Sequence, residues 1–114
     1  MAAAVIVVDE SIHGDVVTGK ITCANPAVAI NVSLGFIPSK VEINHVTDVS
    51  DYEWNKNMDD GTVNLRVTAG DKTLVSTGGI TPYAGAAGYA PGFTIGTDAT
   101  LNGAADEMYF TAYR

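Results

Sequence analysis

Branching at the β-carbon dominates this chain. Val, Ile and Thr contribute 13, 8 and 12 residues, against four each of Leu, Glu and Lys, two Arg and no Gln. A branched Cβ restricts χ1 in a helix but sits comfortably on a pleated surface. The straight-chain residues that helices favour are nearly absent apart from Ala. The Ala residues cluster at 2–4, 84–90 and 99–105, interleaved with Gly, Pro or Asp that cannot sustain an apolar helical stripe. Long helices are therefore not expected.

Period-2 alternation then places the strands. In 28–34 the larger apolar residues share a face, and in 62–68 Val63, Leu65 and Val67 alternate with polar neighbours. Val41, Ile43 and His45 oppose Glu42 and Asn44; Tyr52 and Trp54 oppose Asp51, Glu53 and Asn55. At the C-terminal end, Met108, Phe110 and Ala112 oppose Tyr109, Thr111 and Tyr113. One buried and one solvated face is the habit of antiparallel sheets. Weaker alternation marks 3–8, 15–23, 72–77 and 92–96. Turn residues fall between these windows at Asn25-Pro26, Gly35 with Pro38, Asp59-Asp60-Gly61, Ala69-Gly70-Asp71 and Asn102-Gly103, where Gly, Asn and Asp tolerate positive φ. The expected fold is all-β: an antiparallel β-sandwich of the jelly-roll kind or a small barrel, with about eight or nine short strands.

At 114 residues the chain suits a single domain, 1–114. Residues 1–10 read as an extended N-terminal arm. Residues 78–96 read as a long loop, carrying six of the 12 glycines, two of the four prolines and Tyr83, Tyr89 and Phe93, with no charge. An uncharged aromatic loop of this length is either folded over its own sandwich or held against another chain. The balance of 13 acidic to 6 basic side chains, a net charge of −7, argues against nucleic acid as a partner, because phosphate binding needs clustered Lys and Arg. No apolar run approaches the roughly 20 residues that cross a bilayer, so no membrane partner is expected. The first residues lack the basic flank of a secretory signal. The single Cys23 excludes an internal disulfide and fits a reducing compartment.

Catalytic chemistry finds little to work with. His13 reads as a turn residue, and His45 lies on the apolar face of its strand as a packed, hydrogen-bonded core histidine. Cys23, in phase with Ile21, reads as a small buried apolar group. No nucleophile elbow, zinc-protease helix, paired-cysteine motif or phosphate loop is present. Asp48, Asp51, Asp59 and Asp60 are oxygen ligands of the type Ca²⁺ accepts, but their spacing does not match an EF-hand loop. Glu42, Glu53 and Glu107 are carboxylates, yet nothing in the sequence pairs two of them for glycoside hydrolysis. The chain reads as a non-enzyme without cofactor, metal site or catalytic residue.

Three stretches carry a resemblance. They are Gly35-Phe36-Ile37-Pro38-Ser39-Lys40-Val41-Glu42-Ile43-Asn44 with Val46-Thr47-Asp48; Tyr52-Glu53-Trp54-Asn55-Lys56 with Met58-Asp59-Asp60-Gly61-Thr62; and Thr77-Gly78-Gly79-Ile80-Thr81-Pro82-Tyr83 with Gly92-Phe93-Thr94-Ile95-Gly96-Thr97-Asp98-Ala99 and the ending Met108-Tyr109-Phe110-Thr111-Ala112-Tyr113-Arg114. Together, over about residues 33–114, the chain resembles small all-β virion proteins of tailed bacteriophages that decorate or cement the capsid shell. The resemblance implies a homotrimer or related cyclic homo-oligomer on the capsid exterior, made in the host cytoplasm, bound to the major capsid protein and stabilising the shell. The expected contacts are Ala3, Val5 and Val7 of the arm and Ile80, Pro82, Tyr83, Tyr89 and Phe93 of the loop. The second and third stretches are also similar to phage receptor-binding domains of the H-type lectin kind. That similarity implies, as the alternative, a glycan-binding module of a tail fibre or adsorption apparatus, with Tyr52, Trp54, Tyr83 or Tyr89 stacking on sugar rings.

Overall fold

The computed structural model describes residues 4–7, 12–13, 16–66 and 72–114, and within them the backbone forms strands and turns without a helix. The strands are β1 Ala4–Val7, β2 Ile12–His13, β3 Val16–Thr22, β4 Ile30–Ser33, β5 Lys40–His45, β6 Ser50–Asn55, β7 Thr62–Arg66, β8 Lys72–Tyr83, β9 Gly92–Ile95 and β10 Glu107–Tyr113. All ten join one sheet in the order β1-β4-β9-β8-β7-β6-β5-β10-β3-β2. Pairing is antiparallel throughout except between β1 and β4. The all-β class is thus realised as a single sheet curled into a half-barrel. β1 and β2 occupy opposite edges, yet five residues of chain from Val7 to Ile12 reach at most about 18 Å. The sheet has to curl for so short a connection to serve both edges.

The core fills the inside of that curl, and alternation explains its membership. Val41, Ile43 and His45 of β5, Tyr52 and Trp54 of β6, and Met108, Phe110 and Ala112 of β10 are all buried, while the residues alternating with them lie on the outer face. Phe93 of β9 meets Phe110 edge-on, with ring centroids 5.5 Å apart at 73°, the geometry the ring quadrupole favours. The segment after β9 covers the open side: Leu101 is buried, and the Asn102 side-chain amide donates to the carbonyls of Val28 (2.7 Å) and Gly96 (2.9 Å). One side chain therefore ties three stretches of backbone together.

The described residues hold ten strands, of which two-residue β2 is too short to show a period. Two expectations are corrected. Residues 78–96 are not one long loop, because β8 continues to Tyr83 and β9 begins at Gly92, pairing from Ile80↔Ile95 to Tyr83↔Gly92. The glycines that suggested a loop serve a crossing instead. β8 pairs with β7 up to Val63↔Val75 and then resumes at Thr62↔Ile80, so residues 76–79 bulge out as β8 passes from β7 towards β9. At that point Gly78 has φ +74°. A Cβ on Gly79 would lie 2.6 Å from the Thr62 carbonyl carbon, so only glycine fits. Pro82 is accommodated beyond the point where pairing with β7 stops. Finally, Ile80 and Phe93 present nothing to a partner: both are fully buried, Ile80 between Thr62 and Ile95 and Phe93 against Phe110.

Candidate functional site

Of the remaining expected contact residues, Ala3 lies outside the described residues. Val5 and Val7 lie on edge strand β1, paired with Asn31 and Ser33. Pro82, Tyr83 and Tyr89 belong to the β8–β9 hairpin and so share one end of the sheet. The connecting residues 84–91 fold on themselves: the Ala86 and Tyr89 N–H groups donate to each other's carbonyls at 3.2 and 2.9 Å. The Pro91 carbonyl accepts from the N–H groups of Leu34 and Gly35, which anchors the far end of the tip. Tyr83 and Pro82 are half-buried, Tyr89 is 45% exposed, and Ala84, Ala86, Ala87, Gly88 and Ala90 around it are exposed. The result is a fixed, uncharged projection with an aromatic ring at its end. Tyr52 and Trp54, expected under the glycan alternative to stack on sugars, are buried in the core and cannot do so.

A second feature appears on the outer face of the sheet, which alternation leaves polar. Cross-strand partners from β10 to β8 form two rows. One runs Tyr109, Asn44, Asp51, Arg66, Lys72; the next runs Thr111, Glu42, Glu53, Asn64, Leu74. Most of these side chains line a groove of about 500 Å³ that crosses the strands. Glu42 and Glu53 are directly opposed, an unfavourable arrangement for like charges. Lys40 relieves it, with Nζ 3.4 Å from Glu53 Oε2 and 4.0 Å from Glu42 Oε2, and the Tyr113 hydroxyl donates to Glu42 Oε1 at 2.7 Å. That hydrogen bond to a carboxylate raises the Tyr113 pKa above its usual value. Beyond β10, Lys20 and Glu107 pair at 2.8 Å, and their hydrogen bond raises the Lys20 pKa. The individual outward residues were legible from alternation. Their assembly into a groove was not, because it depends on which strands are neighbours.

The third feature is His45, buried as alternation predicts. Its Nδ1 accepts from the Asp48 backbone N–H at 3.1 Å, which in the neutral ring leaves the proton on Nε2, 3.4 Å from Asp106 Oδ2. His45, Asp48 and Asp106 bring one potential ligand atom each within 4.8 Å of one another. The hydrogen bonding does not suit a metal, however. A metal-bound imidazole donates its second N–H to an acceptor, whereas here Nδ1 faces a donor. The ring is held through Nδ1 by the turn after β5, while Nε2, buried without a hydrogen bond, faces Asp106 before β10. Asp48, Asp51, Asp59 and Asp60 form no common ligand set among the described residues. Cys23 nearby is buried, and desolvation followed by the negative charge of Asp106 pushes its thiol up to about 11, the state of an unreactive packing group.

Fold and surface together define a small all-β domain whose outward resources are an uncharged hairpin tip and a polar transverse groove. Compared with protein-family models, curated proteins and solved structures, the chain matches none.

Proposed function

We propose that this chain is a capsid decoration subunit: a virion protein that binds the outside of a bacteriophage shell and stabilises it without catalysing a reaction. The observation that carries this reading is the hairpin tip, where Tyr89 projects from an exposed stretch without a charge. Surface of that kind is costly to leave in water and suits a contact with another protein. The resemblance of the three sequence stretches to decoration proteins points the same way, and implies a homotrimer or other cyclic cluster seated on the major capsid protein. Symmetry then repeats a modest contact several times, which raises total binding without enlarging any single patch. The acidic balance of the chain, −7, favours solubility and disfavours nucleic acid.

The test is co-sedimentation of purified protein with undecorated shells. Binding should saturate, and replacing Tyr83→Ser together with Tyr89→Ser should weaken it at least ~10-fold, about 1.4 kcal/mol, with little change in melting temperature. Protein that stays in the supernatant refutes the proposal. So does a variant that melts early yet still associates, because the tip would then be covering its own core. A second reading, a glycan-binding module of an adsorption apparatus, is favoured by the polar groove with Tyr109 at one end.

A further inference from the structure

We infer that the outer-face groove takes an acidic oligosaccharide, with its anionic group between Arg66 and Lys72 and the adjoining sugar units laid across the carboxylate–amide rows towards Tyr109. This inference rests on the glycan-binding reading and names the ligand class of that site.

The argument begins with the basic residues, of which the chain has only six. Lys20 pairs with Glu107, Lys40 bridges Glu42 and Glu53, Arg114 lies over the Phe36 ring, and Lys56, exposed after β6 and without a salt bridge among the described residues, lies outside the groove. Arg66 and Lys72 are different. They are direct cross-strand partners, both exposed, and among the described residues neither forms a salt bridge. Asp51 stands opposite Arg66 on β6 but makes no ion pair with it. Opposed like charges destabilise a sheet. The same sheet holds a second such pair, Glu42 and Glu53, and neutralises it internally with Lys40 and Tyr113. The acid pair is therefore complete within the chain, and the base pair is left open to an anion from outside.

The rest of the groove specifies the neighbours of that anion. The groove crosses the strands, and over β10, β5, β6 and β7 the backbone groups are committed to adjacent strands, so a ligand lying along it meets side chains there. A peptide adding itself to a sheet uses an edge, and a phosphate polymer would confront Glu42, Asp51 and Glu53. The face offers one polar side chain per strand, about every 4.8 Å, close to the length of one pyranose unit. Carboxylate acceptors and the donor-and-acceptor amides Asn44 and Asn64 match hydroxyl groups that both donate and accept. Tyr109, 49% exposed at the far end, supplies a ring face for the apolar side of a sugar. From Lys72 to Tyr109 the groove spans four strand spacings, roughly 19 Å, enough for three or four units.

The full chain is titrated with a tetrasaccharide of three galactose units ending in a single galacturonate, with neutral galactotetraose and with a serine peptide carrying one glutamate, followed by amide chemical shifts. The singly acidic tetrasaccharide should perturb β7, β8 and β10 and bind at least ~10-fold more tightly than either comparator, the size expected for charge-assisted hydrogen bonds at an exposed site. Binding should weaken as salt is raised, since exposed charges are screened. Arg66→Gln with Lys72→Gln should remove the preference for the acidic ligand while leaving melting temperature and shell co-sedimentation unchanged. Galactotetraose binding as well as the acidic tetrasaccharide overturns the inference but leaves the glycan reading standing. Equal binding of the acidic peptide, or retention of the acidic preference in the double variant, also overturns it. If neither saccharide binds, the inference and the glycan reading fall together, and the decoration proposal is untouched.

Discussion

The crossing of β8 from β7 to β9 positions both the tip and one end of the groove, and a single methyl group tests it. Gly79 does not sit in the positive-φ region, so Gly79→Ala carries no left-handed penalty and its cost is steric. The added Cβ would fall 2.6 Å from the Thr62 carbonyl carbon, 2.7 Å from its oxygen and 3.0 Å from the Gly61 oxygen. These are backbone atoms held in the ladder and cannot swing aside as a side chain would. Overpacking of this kind costs about 1–3 kcal/mol. The movement also strains two hydrogen bonds, Gly79 N–H to Gly61 O at 2.9 Å and Gly96 N–H to Gly79 O at 2.7 Å, each contributing about 1 kcal/mol. The expected loss is about 3–5 kcal/mol against a total stability of about 5–15 kcal/mol, a fall in melting temperature of roughly 12–20 °C. Gly88→Ala is the control: its φ is +83° and nothing lies within 4 Å of a Cβ there. It bears only the left-handed penalty of about 1–2 kcal/mol, partly offset by a stiffer unfolded chain. Urea unfolding read by the fluorescence of buried Trp54 separates the two variants. A Gly79→Ala protein within about 1 kcal/mol of the parent, or no less stable than Gly88→Ala, would refute the close approach of β8 to the β7 turn.

Two further outcomes follow from the interior. Cys23 has its thiol raised from 9.0 to about 11, so native protein should react with a disulfide reagent at pH 8 at least ~100-fold more slowly than urea-unfolded protein, in proportion to thiolate population; equal rates would contradict its burial. Because the folded state disfavours the thiolate, the associated stability is complete below pH 9 and is lost as pH rises towards 11, so Cys23→Ala should make the alkaline decline shallower. Asp106→Ala should cost about 1 kcal/mol by removing the carboxylate that faces buried His45 Nε2 at 3.4 Å, a close approach without a hydrogen bond. Asp48→Ala should cost less than about 0.5 kcal/mol, because the backbone N–H that donates to His45 Nδ1 survives the substitution and the exposed carboxylate lies 3.8 Å from that nitrogen. Equal losses in urea titration would remove the distinction.

Alternation located individual strands because it is a local property. Lys40–His45 was read to the residue, with His45 inward, and Tyr52 and Trp54 were correctly opposed to Asp51 and Glu53. What stayed hidden depends on contacts between distant residues. Gly78 and Gly79 have the composition of a loop, and only the proximity of Thr62 and Asp98 shows that they are a strand crossing. Ile80 and Phe93 lie in an uncharged segment that looked exposed as a whole; pairing with Ile95 and packing on Phe110 take those two inward and leave Tyr89 outside. Arg66 and Lys72 lie six positions apart in the sequence, and their opposition exists only because β7 and β8 pair in that register.

The same crossing relates the two candidate surfaces. The first half of β8, from Lys72 to Val75, pairs with β7 and closes one end of the groove; the second half, from Ile80 to Tyr83, pairs with β9 and carries the tip. Residues 76–79 lie between them, so the groove and the tip sit at opposite ends of one strand. No side chain that lines the groove comes from residues 80–95, the paired ends of β8 and β9 and the tip between them. A subunit seated through Tyr83 and Tyr89 would keep Arg66, Lys72 and Tyr109 away from that contact. The proposed shell attachment and the proposed ligand capture would therefore not compete for the same residues, and substitutions at one surface can be read without disturbing the other.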